Sequence, residues 1–296
     1  MKKILLTLLL TLTSNAQSLR IEINEFHKNQ INYKLLDTRT FSIYSKGHIP
    51  HAINFPIDLT YEDMQENGKL TNPFSMQKII QARGLNANDK LVIYDDGSFF
   101  NAARLFWALE VYGFKNVKLL NAGYQQWMQK KYKSSIQIPQ LVKSNYITII
   151  DNNRLATKFS TQVATHNPNQ IILDARSNNA YIGLQSSANR SGHIPKALNI
   201  PASNNVDNTT NMSTLKSLKK LANIYKDIDK SKKIILYCAI GRVSATNYFA
   251  LRELGYNVAN YDASWREWGN DNNLPIINPS KNLPKIFFEQ HKNERW

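Results

Sequence analysis

Short unbroken runs of apolar residues recur along the chain, and each ends at a polar or glycine-containing turn. The run at 234–237 is rich in branched side chains, and its length predicts a strand buried on both faces, as in a parallel sheet. Apolar residues then recur at roughly helical spacing from Ala245 to Leu254, and Gly255 is a typical residue after a helix end. Residues 238–243 are therefore predicted to form a tight loop between a strand end and a helix start.

The same succession of signals occurs twice along the chain. Three landmarks are repeated: Asp-x-Arg at 37–39 and 174–176, Gly-His-Ile-Pro at 47–50 and 192–195, and a tryptophan at 127 and 268. Matched positions lie roughly 140 residues apart, a spacing that indicates an internal repeat. The pattern predicts two copies of one α/β unit rather than a single continuous fold.

Further signals predict the other elements of the two copies. Ser75 is a plausible N-cap for a helix that runs to Ala82 and stops at Gly84. The remaining predicted elements are strands at 31–36, 91–94, 117–120 and 171–173 and helices at 102–112 and 215–225.

Shifts in composition and the positions of turn-forming residues predict five segments. Residues 1–16 combine two lysines, an apolar stretch and a Ser-Asn-Ala ending, which is typical of a cleaved signal peptide. An uncleaved membrane anchor is disfavoured, because the apolar stretch is shorter than the roughly 20 residues that span a bilayer. We expect export, to a periplasm, of a mature protein with no integral membrane segment. The other four segments are a first domain at 19–130, a linker at 131–145, a second domain at 146–277 and a basic tail at 278–296.

The composition narrows the class of protein. Hydrophobic residues make up 42% of the chain, and this, with many aromatic residues, excludes a disordered protein. The formal net charge is +15 and falls to +13 without Lys2 and Lys3. The basic residues are scattered and no nucleic-acid motif accompanies them, so we expect a solvated basic face that attracts small anions and no nucleic-acid partner.

Cys238 is the candidate for chemistry. It is the only cysteine, so an internal disulfide is impossible, and it opens the predicted loop. A strand-to-helix loop aims backbone N–H groups and a helix dipole at one point, which favours a thiolate or a bound anion. Arg242 adds a positive charge. The alternative is a structural thiol, because free cysteines are among the most buried residues.

The repeated motifs, together with a loop cysteine in the second copy only, resemble the tandem rhodanese sulfurtransferases. The resemblance covers residues 20–277 and is closest at 260–269. It implies two α/β domains, each a mostly parallel sheet flanked by helices, with the active site in the second domain near the cleft. It also implies that Cys238 carries sulfur as a persulfide, moving it from thiosulfate or 3-mercaptopyruvate to cyanide or a thiol, small or on a protein, without metal or organic cofactor. The implied substrate-binding loop is Ala239, Ile240, Gly241, Arg242 and Val243.

Three departures from the family pattern leave the donor open. Thiosulfate-type loops place Arg and Lys where this chain has Ala239 and Ile240, and the Cys-Gly-Ser-Gly-Val-Thr loop of mercaptopyruvate-type members is absent. A basic residue common before the aromatic that follows Asp-x-Arg is here Ala180. Arg190 is a candidate substrate-binding residue that would supply the missing charge, against the alternative of an ordinary surface arginine.

The first copy has Asp95, beside Asp96, where the second has Cys238. A carboxylate cannot carry sulfur and would repel thiosulfate, so we expect a structural domain that forms one wall of the cleft. A paired-carboxylate acid–base site is disfavoured because no further catalytic group accompanies it. His48 and His193, which precede prolines in turns, are also expected to be structural.

Two other functions compete with sulfur transfer. A cysteine phosphatase also places a cysteine in an anion-binding loop, but it needs an arginine six residues later, where this chain has Ser244. A sulfur-carrier or partner-binding module with little turnover of its own is the non-enzymatic alternative, and it is motivated by the weak basic character of the loop.

Overall fold

The computed structural model describes residues 18–207 and 212–282. The predicted signal peptide and the tail beyond residue 282 lie outside these residues, so export stays a prediction. Every helix within residues 18–207 and 212–282 is too short or too polar to span a lipid bilayer.

Each half of the chain contains a series of short strands and helices. Those of the first half are β1 (Arg20–Ile21), α1 (Ile23–Asn29), β2 (Lys34–Asp37), α2 (Phe41–Tyr44), β3 (Ile53–Asn54), α3 (Pro73–Ala82), β4 (Leu91–Tyr94), α4 (Phe100–Val111), β5 (Val117–Leu120) and α5 (Tyr124–Gln129). Those of the second half are β6 (Leu155–Ala156), α6 (Lys158–Ala164), β7 (Gln170–Asp174), α7 (Asn178–Tyr181), β8 (Leu198–Asn199), β9 (Val206–Asp207), β10 (Thr214–Leu215), α8 (Leu218–Ile224), β11 (Lys233–Tyr237), α9 (Ser244–Glu253), β12 (Val258–Tyr261) and α10 (Ser264–Trp268).

The two halves form matching five-stranded parallel sheets. The strand order is β1-β5-β4-β2-β3 in the first and β6-β12-β11-β7-β8 in the second, so strand for strand the topology repeats. The predicted α/β fold with two mostly parallel sheets is confirmed. β4 and β11 each occupy the centre of their sheet, and in such sheets ligands bind beyond the carboxyl ends of the strands.

Several predicted boundaries shift, each for a local reason. The N-cap of α3 is Asn72 and not Ser75: the Asn72 side chain accepts the Ser75 N–H at 3.0 Å, and Pro73 occupies the first turn. Residues 215–225 are not one helix, because Leu215 pairs with Val206 in an antiparallel strand and α8 begins only at Leu218, after its cap. The strand predicted at 31–36 is β2, four residues long.

The Asp-x-Arg motifs clamp the strand ends in both halves. The Arg176 guanidinium donates to both carboxylate oxygens of Asp174, at 3.0 and 2.5 Å, and to the carbonyl of Gly192 at 2.7 Å. Arg39 makes the same contacts with Asp37 and Gly47. The motif therefore ties the strand end to the turn that carries Gly-His-Ile-Pro.

Helices α4 and α9 pack against each other and join the two halves. Phe106 meets Phe249 edge to face, with ring centroids 4.9 Å apart, and both belong to one apolar cluster that runs through both halves. Further along, the Glu110 carboxylate accepts the Tyr248 hydroxyl at 2.5 Å and the Arg252 guanidinium at 2.9 Å. Because each helix follows the loop at the centre of its own sheet, the interface brings the two loops to the same region.

Phe106→Ala should lower the free energy of unfolding by about 3–5 kcal/mol, because the ring is fully buried between the halves and a cavity would remain. Urea denaturation followed by tryptophan fluorescence measures this. Phe74→Ala is the matched control: its ring is 67% exposed, and its removal should change stability by less than about 0.5 kcal/mol. Equal effects of the two substitutions would contradict the proposed packing.

Candidate active site around Cys238

Cys238 follows the central strand β11 directly, and α9 begins six residues later. Its side chain is only 1% exposed, yet it lines a pocket of about 810 Å³ at the carboxyl end of the sheet. Of the residues predicted to bind substrate, four also line this pocket: Ala239, Ile240, Arg242 and Val243. The thiol-bearing residue thus borders a pocket, although almost none of its surface is exposed.

The first two carbonyls of the loop are held by the start of α10. The carbonyl of Cys238 accepts the Trp265 N–H at 3.0 Å, and that of Ala239 accepts the Arg266 N–H at 3.0 Å. A peptide unit points its C=O and the following N–H in opposite directions. These two bonds therefore turn the N–H groups of Ala239 and Ile240 to the opposite side of the loop from α10.

The next two carbonyls are held by side chains from different halves. Arg104 of α4 donates from Nη1 to the Ile240 carbonyl at 3.2 Å, and Asn260 of β12 donates from Nδ2 to the Gly241 carbonyl at 3.1 Å. Within the described residues, no hydrogen-bond acceptor contacts the N–H groups of Ala239, Ile240, Arg242, Val243 or Ser244. All but the last belong to residues that line the pocket, so an anion there meets unpaired donors.

Ser264, the first residue of α10, hydrogen-bonds to the backbone of the loop. Its Oγ accepts the N–H groups of Cys238 at 3.1 Å and Gly241 at 3.0 Å, and donates to the Tyr261 carbonyl at 2.6 Å. Gly241 itself does not line the pocket. Ser264 was not predicted as a site residue, although the repeat carried a signal. The first copy has Gly123 at the matched position, so only the copy with the cysteine has this hydroxyl.

The thiol has a hydroxyl donor. Ser244, the first residue of α9, donates from Oγ to the Cys238 Sγ at 3.3 Å and is fully buried. Ser244 occupies the position at which a cysteine phosphatase needs its arginine, so its role here also disfavours that alternative.

Two arginines bring positive charge to the pocket beside the clamped Arg176. Arg242, which the sequence predicted to bind substrate, is exposed on the loop and lines the pocket; Arg266 of α10 also lines it and was not predicted. The Arg266 guanidinium donates to the backbone carbonyls of Met64 and Gln65 in the first half, and its buried Nε has no partner in the described structure.

Arg190 does not reach this pocket. Its guanidinium donates to four backbone carbonyls at the end of α10 and just beyond it, those of Trp268, Gly269, Asp271 and Leu274. The prediction that Arg190 supplies the missing charge is therefore wrong, because its donors are already used to hold a turn. Arg266, and not Arg190, lines the pocket beside Cys238.

The matching loop of the first half is filled by its own side chain. The Asp95 carboxylate accepts the N–H groups of Gly97 at 2.8 Å, Phe99 at 3.3 Å and Ala102 at 3.2 Å. Burial first, and then the neighbouring Asp96, raises the pKa of Asp95 to about 6, and the backbone donors oppose that rise. This loop already contains its own carboxyl group, which supports a structural role for the first domain.

The predicted structural histidines make structural contacts. His48 and His193 each bond through Nδ1 to a backbone carbonyl, of Tyr44 and Tyr181, and stack on the ring of the same tyrosine. Among residues 18–207 and 212–282, no group of three or more His, Cys, Asp or Glu side chains is arranged to hold a metal ion.

Comparisons with known proteins give the site its context. A family model described as "Rhodanese-like domain" matches residues 22–130 and 156–271. The thiosulfate sulfurtransferase of Corynebacterium glutamicum is 32% identical over 253 residues, which cover 79% of this chain and 81% of that protein.

Two solved structures share the architecture. SseA from Escherichia coli, a 3-mercaptopyruvate sulfotransferase, matches with a TM-score of 0.74 at 25% identity, over 84% of this chain and 99% of that chain. Wild-type EanB matches with a TM-score of 0.75 at 21% identity, over 86% of this chain but only 64% of EanB. This chain thus spans less than two thirds of EanB, and that likeness concerns the fold alone.

Asp95→Asn should change how stability depends on pH. Because the pKa of Asp95 is raised on folding, its stabilising contribution is complete below about pH 4 and is lost as the pH rises through about 6. The wild type should lose about 3 kcal/mol relative to the variant over that range. Urea denaturation at several pH values measures the difference. Asp58→Asn, at an exposed position of the same domain, is the control, and its free energy of unfolding should vary with pH as that of the wild type does. The same pH dependence in Asp95→Asn and the wild type would contradict the role given to the buried carboxyl group.

Proposed function

This chain belongs to the rhodanese family and is a sulfurtransferase with two rhodanese-like domains, and on that premise we propose that it moves the outer sulfur of thiosulfate to a thiophilic acceptor through a persulfide on Cys238. The observation that carries the proposal is the loop itself: a buried thiol with a hydroxyl donor, surrounded by N–H groups that have no protein acceptor. Such a site stabilises anionic sulfur.

In the first step, the Cys238 thiolate attacks the outer sulfur of thiosulfate. A new S–S bond forms, the S–S bond of thiosulfate breaks, and sulfite leaves with the electron pair of that bond. The persulfide that remains carries the negative charge, which the unpaired N–H groups and the Ser244 hydroxyl are placed to stabilise.

In the second step, the acceptor takes the outer sulfur. Cyanide, or a thiolate, attacks the terminal sulfur of the persulfide, the S–S bond breaks, and the Cys238 thiolate is restored. The products are thiocyanate or a new persulfide. A small acceptor fits this site best, because Cys238 lines the pocket but only 1% of the residue is exposed.

The charge of the pocket supports thiosulfate as donor. Thiosulfate is a dianion, and Arg242 and Arg266 together supply two positive charges beside the loop. The relative from Corynebacterium glutamicum is named for this donor. The pocket is also large enough for 3-mercaptopyruvate, the donor named for SseA, so the two donors are compared in the same experiment.

Cys238→Ser should abolish thiocyanate formation from thiosulfate and cyanide, because a serine hydroxyl cannot hold a transferable sulfur. Intact mass after exposure to thiosulfate should show one added sulfur atom on the wild type and none on the variant, and cyanide should remove it. A parallel exposure to 3-mercaptopyruvate compares the donors. Turnover by the Cys238→Ser variant at the wild-type rate would contradict the proposal. A stable persulfide that no small acceptor removes would favour the sulfur-carrier alternative.

Arg242→Ala and Arg266→Ala should each raise the KM for thiosulfate about tenfold, because each removes a charge-assisted contact with the donor. Steady-state kinetics with thiosulfate and cyanide measure this. Lys219→Ala, at an exposed position of α8, is the control for a general loss of positive charge and should leave KM unchanged. If neither arginine variant differs from this control, the anion site lies elsewhere.

A further inference from the structure

Arg104 is a buried cation that the first half contributes to the site in the second half. It lies in α4 and is fully buried. Its guanidinium donates to the hydroxyl of Thr60 at 3.2 Å, to the carbonyl of Gly68 at 3.4 Å, and to the carbonyl of Ile240 at 3.2 Å. The last of these bonds crosses between the halves and ends on the cysteine loop.

The environment of Arg104 is costly for a charge. Its contacts in the described part of the chain include no ion pair with a carboxylate, and the guanidinium lies 3.7 Å from the centre of the Tyr61 ring. Burial lowers the pKa of Arg104, and the negative charges that Tyr61, Asp262 and Cys238 can carry oppose this effect. Burying a cation without a salt bridge costs free energy, which its hydrogen bonds and its contacts with the Tyr61 and Trp107 rings must offset.

The loop is shaped to fit this guanidinium. Gly241 has φ of +66°, in the left-handed region, and a Cβ there would lie 2.7 Å from Arg104 Nη1 and 2.5 Å from the Asp262 carbonyl. The glycine thus lets the loop pass directly over Arg104. In that arrangement the Ile240 carbonyl points to Arg104, and the following N–H, of Gly241, points to Ser264.

We propose that Arg104 is a positioning residue for the cysteine loop, supplied by the domain that has no cysteine of its own. By fixing the Ile240–Gly241 peptide it orients the unpaired N–H groups on either side, and its charge lies beneath the loop that must hold anionic sulfur. This role rests on the proposed function in that the loop is taken to carry a persulfide. The first domain is then part of the active site and not only a wall of the cleft.

The other polar contact between the two helices supplies a matched control. Glu110 lies further along α4 and bonds to Tyr248 and Arg252 of α9, without touching the loop. Glu110→Gln should weaken the association of the halves, as loss of Arg104 would, but it leaves the Ile240 carbonyl bound. Comparison of the two variants therefore separates a loop-specific effect from general loosening of the interface.

The experiment compares Arg104→Met, Arg104→Lys and Glu110→Gln in the full chain with two readouts. One is kcat/KM for thiosulfate and cyanide. The other is the rate at which iodoacetamide, a neutral reagent, alkylates the protein at pH 7; intact mass reports Cys238 alone, because the chain has one cysteine. Arg104→Met should lower kcat/KM about 100-fold, the scale expected for a misplacement near 1 Å, and should slow alkylation. Arg104→Lys, which keeps the charge and one donor, should lie between Arg104→Met and the wild type.

Glu110→Gln should keep both rates close to the wild type even where urea denaturation shows a comparable loss of stability. Wild-type rates in a folded Arg104→Met protein would overturn the proposal, as would equal losses in Glu110→Gln. If Arg104→Met does not fold, Arg104→Lys decides by the same comparison with Glu110→Gln. A wild type that does not turn over thiosulfate refutes the proposed function instead, while alkylation still tests Arg104.

Discussion

The structure depends on how the peptide groups around Cys238 are oriented. Four consecutive carbonyls, from Cys238 to Gly241, are each bound by a donor from another part of the fold. Because each peptide group is rigid, binding its carbonyl on one side presents the next N–H on the other. Donors that a folded protein normally pairs are thereby left for a ligand, an arrangement that is stable only because the surrounding contacts enforce it.

The two halves show the same fold put to two uses. In the first, Asp95 satisfies the loop donors with its own carboxylate; in the second, a smaller thiol leaves them unpaired. The residue whose hydroxyl accepts two loop N–H groups in the second copy, Ser264, corresponds in the first copy to Gly123, which has no side chain to do so. The loop of the first half therefore offers no such donors to an external anion, but through Arg104 the first half contacts the loop of the other half.

Positive charge reaches the pocket from positions other than those of the family pattern. The loop lacks basic residues at 239 and 240, and Arg190 is occupied by backbone carbonyls. Arg242 and Arg266 bring charge to the pocket from positions around it. A long arginine side chain can reach one pocket from several elements, so charge can be retained while the residues that carry it change.

The amino-acid sequence alone predicted the repeat, the parallel α/β fold, the strand-to-helix loop and Cys238 as its first residue, because these follow from local periodicity and from repeated motifs. Helix caps were less certain, since Asn72 and Ser75 are both good caps and only the backbone path selects one. The groups around the thiol could be identified only from the folded chain. Ser264, Arg266 and Arg104 lie 26 residues or more from Cys238 along the chain, and no local pattern reports such contacts. Arg190 shows the converse: proximity to a motif in sequence suggested a role that its hydrogen bonds rule out, because a side chain's function depends on what it faces after folding.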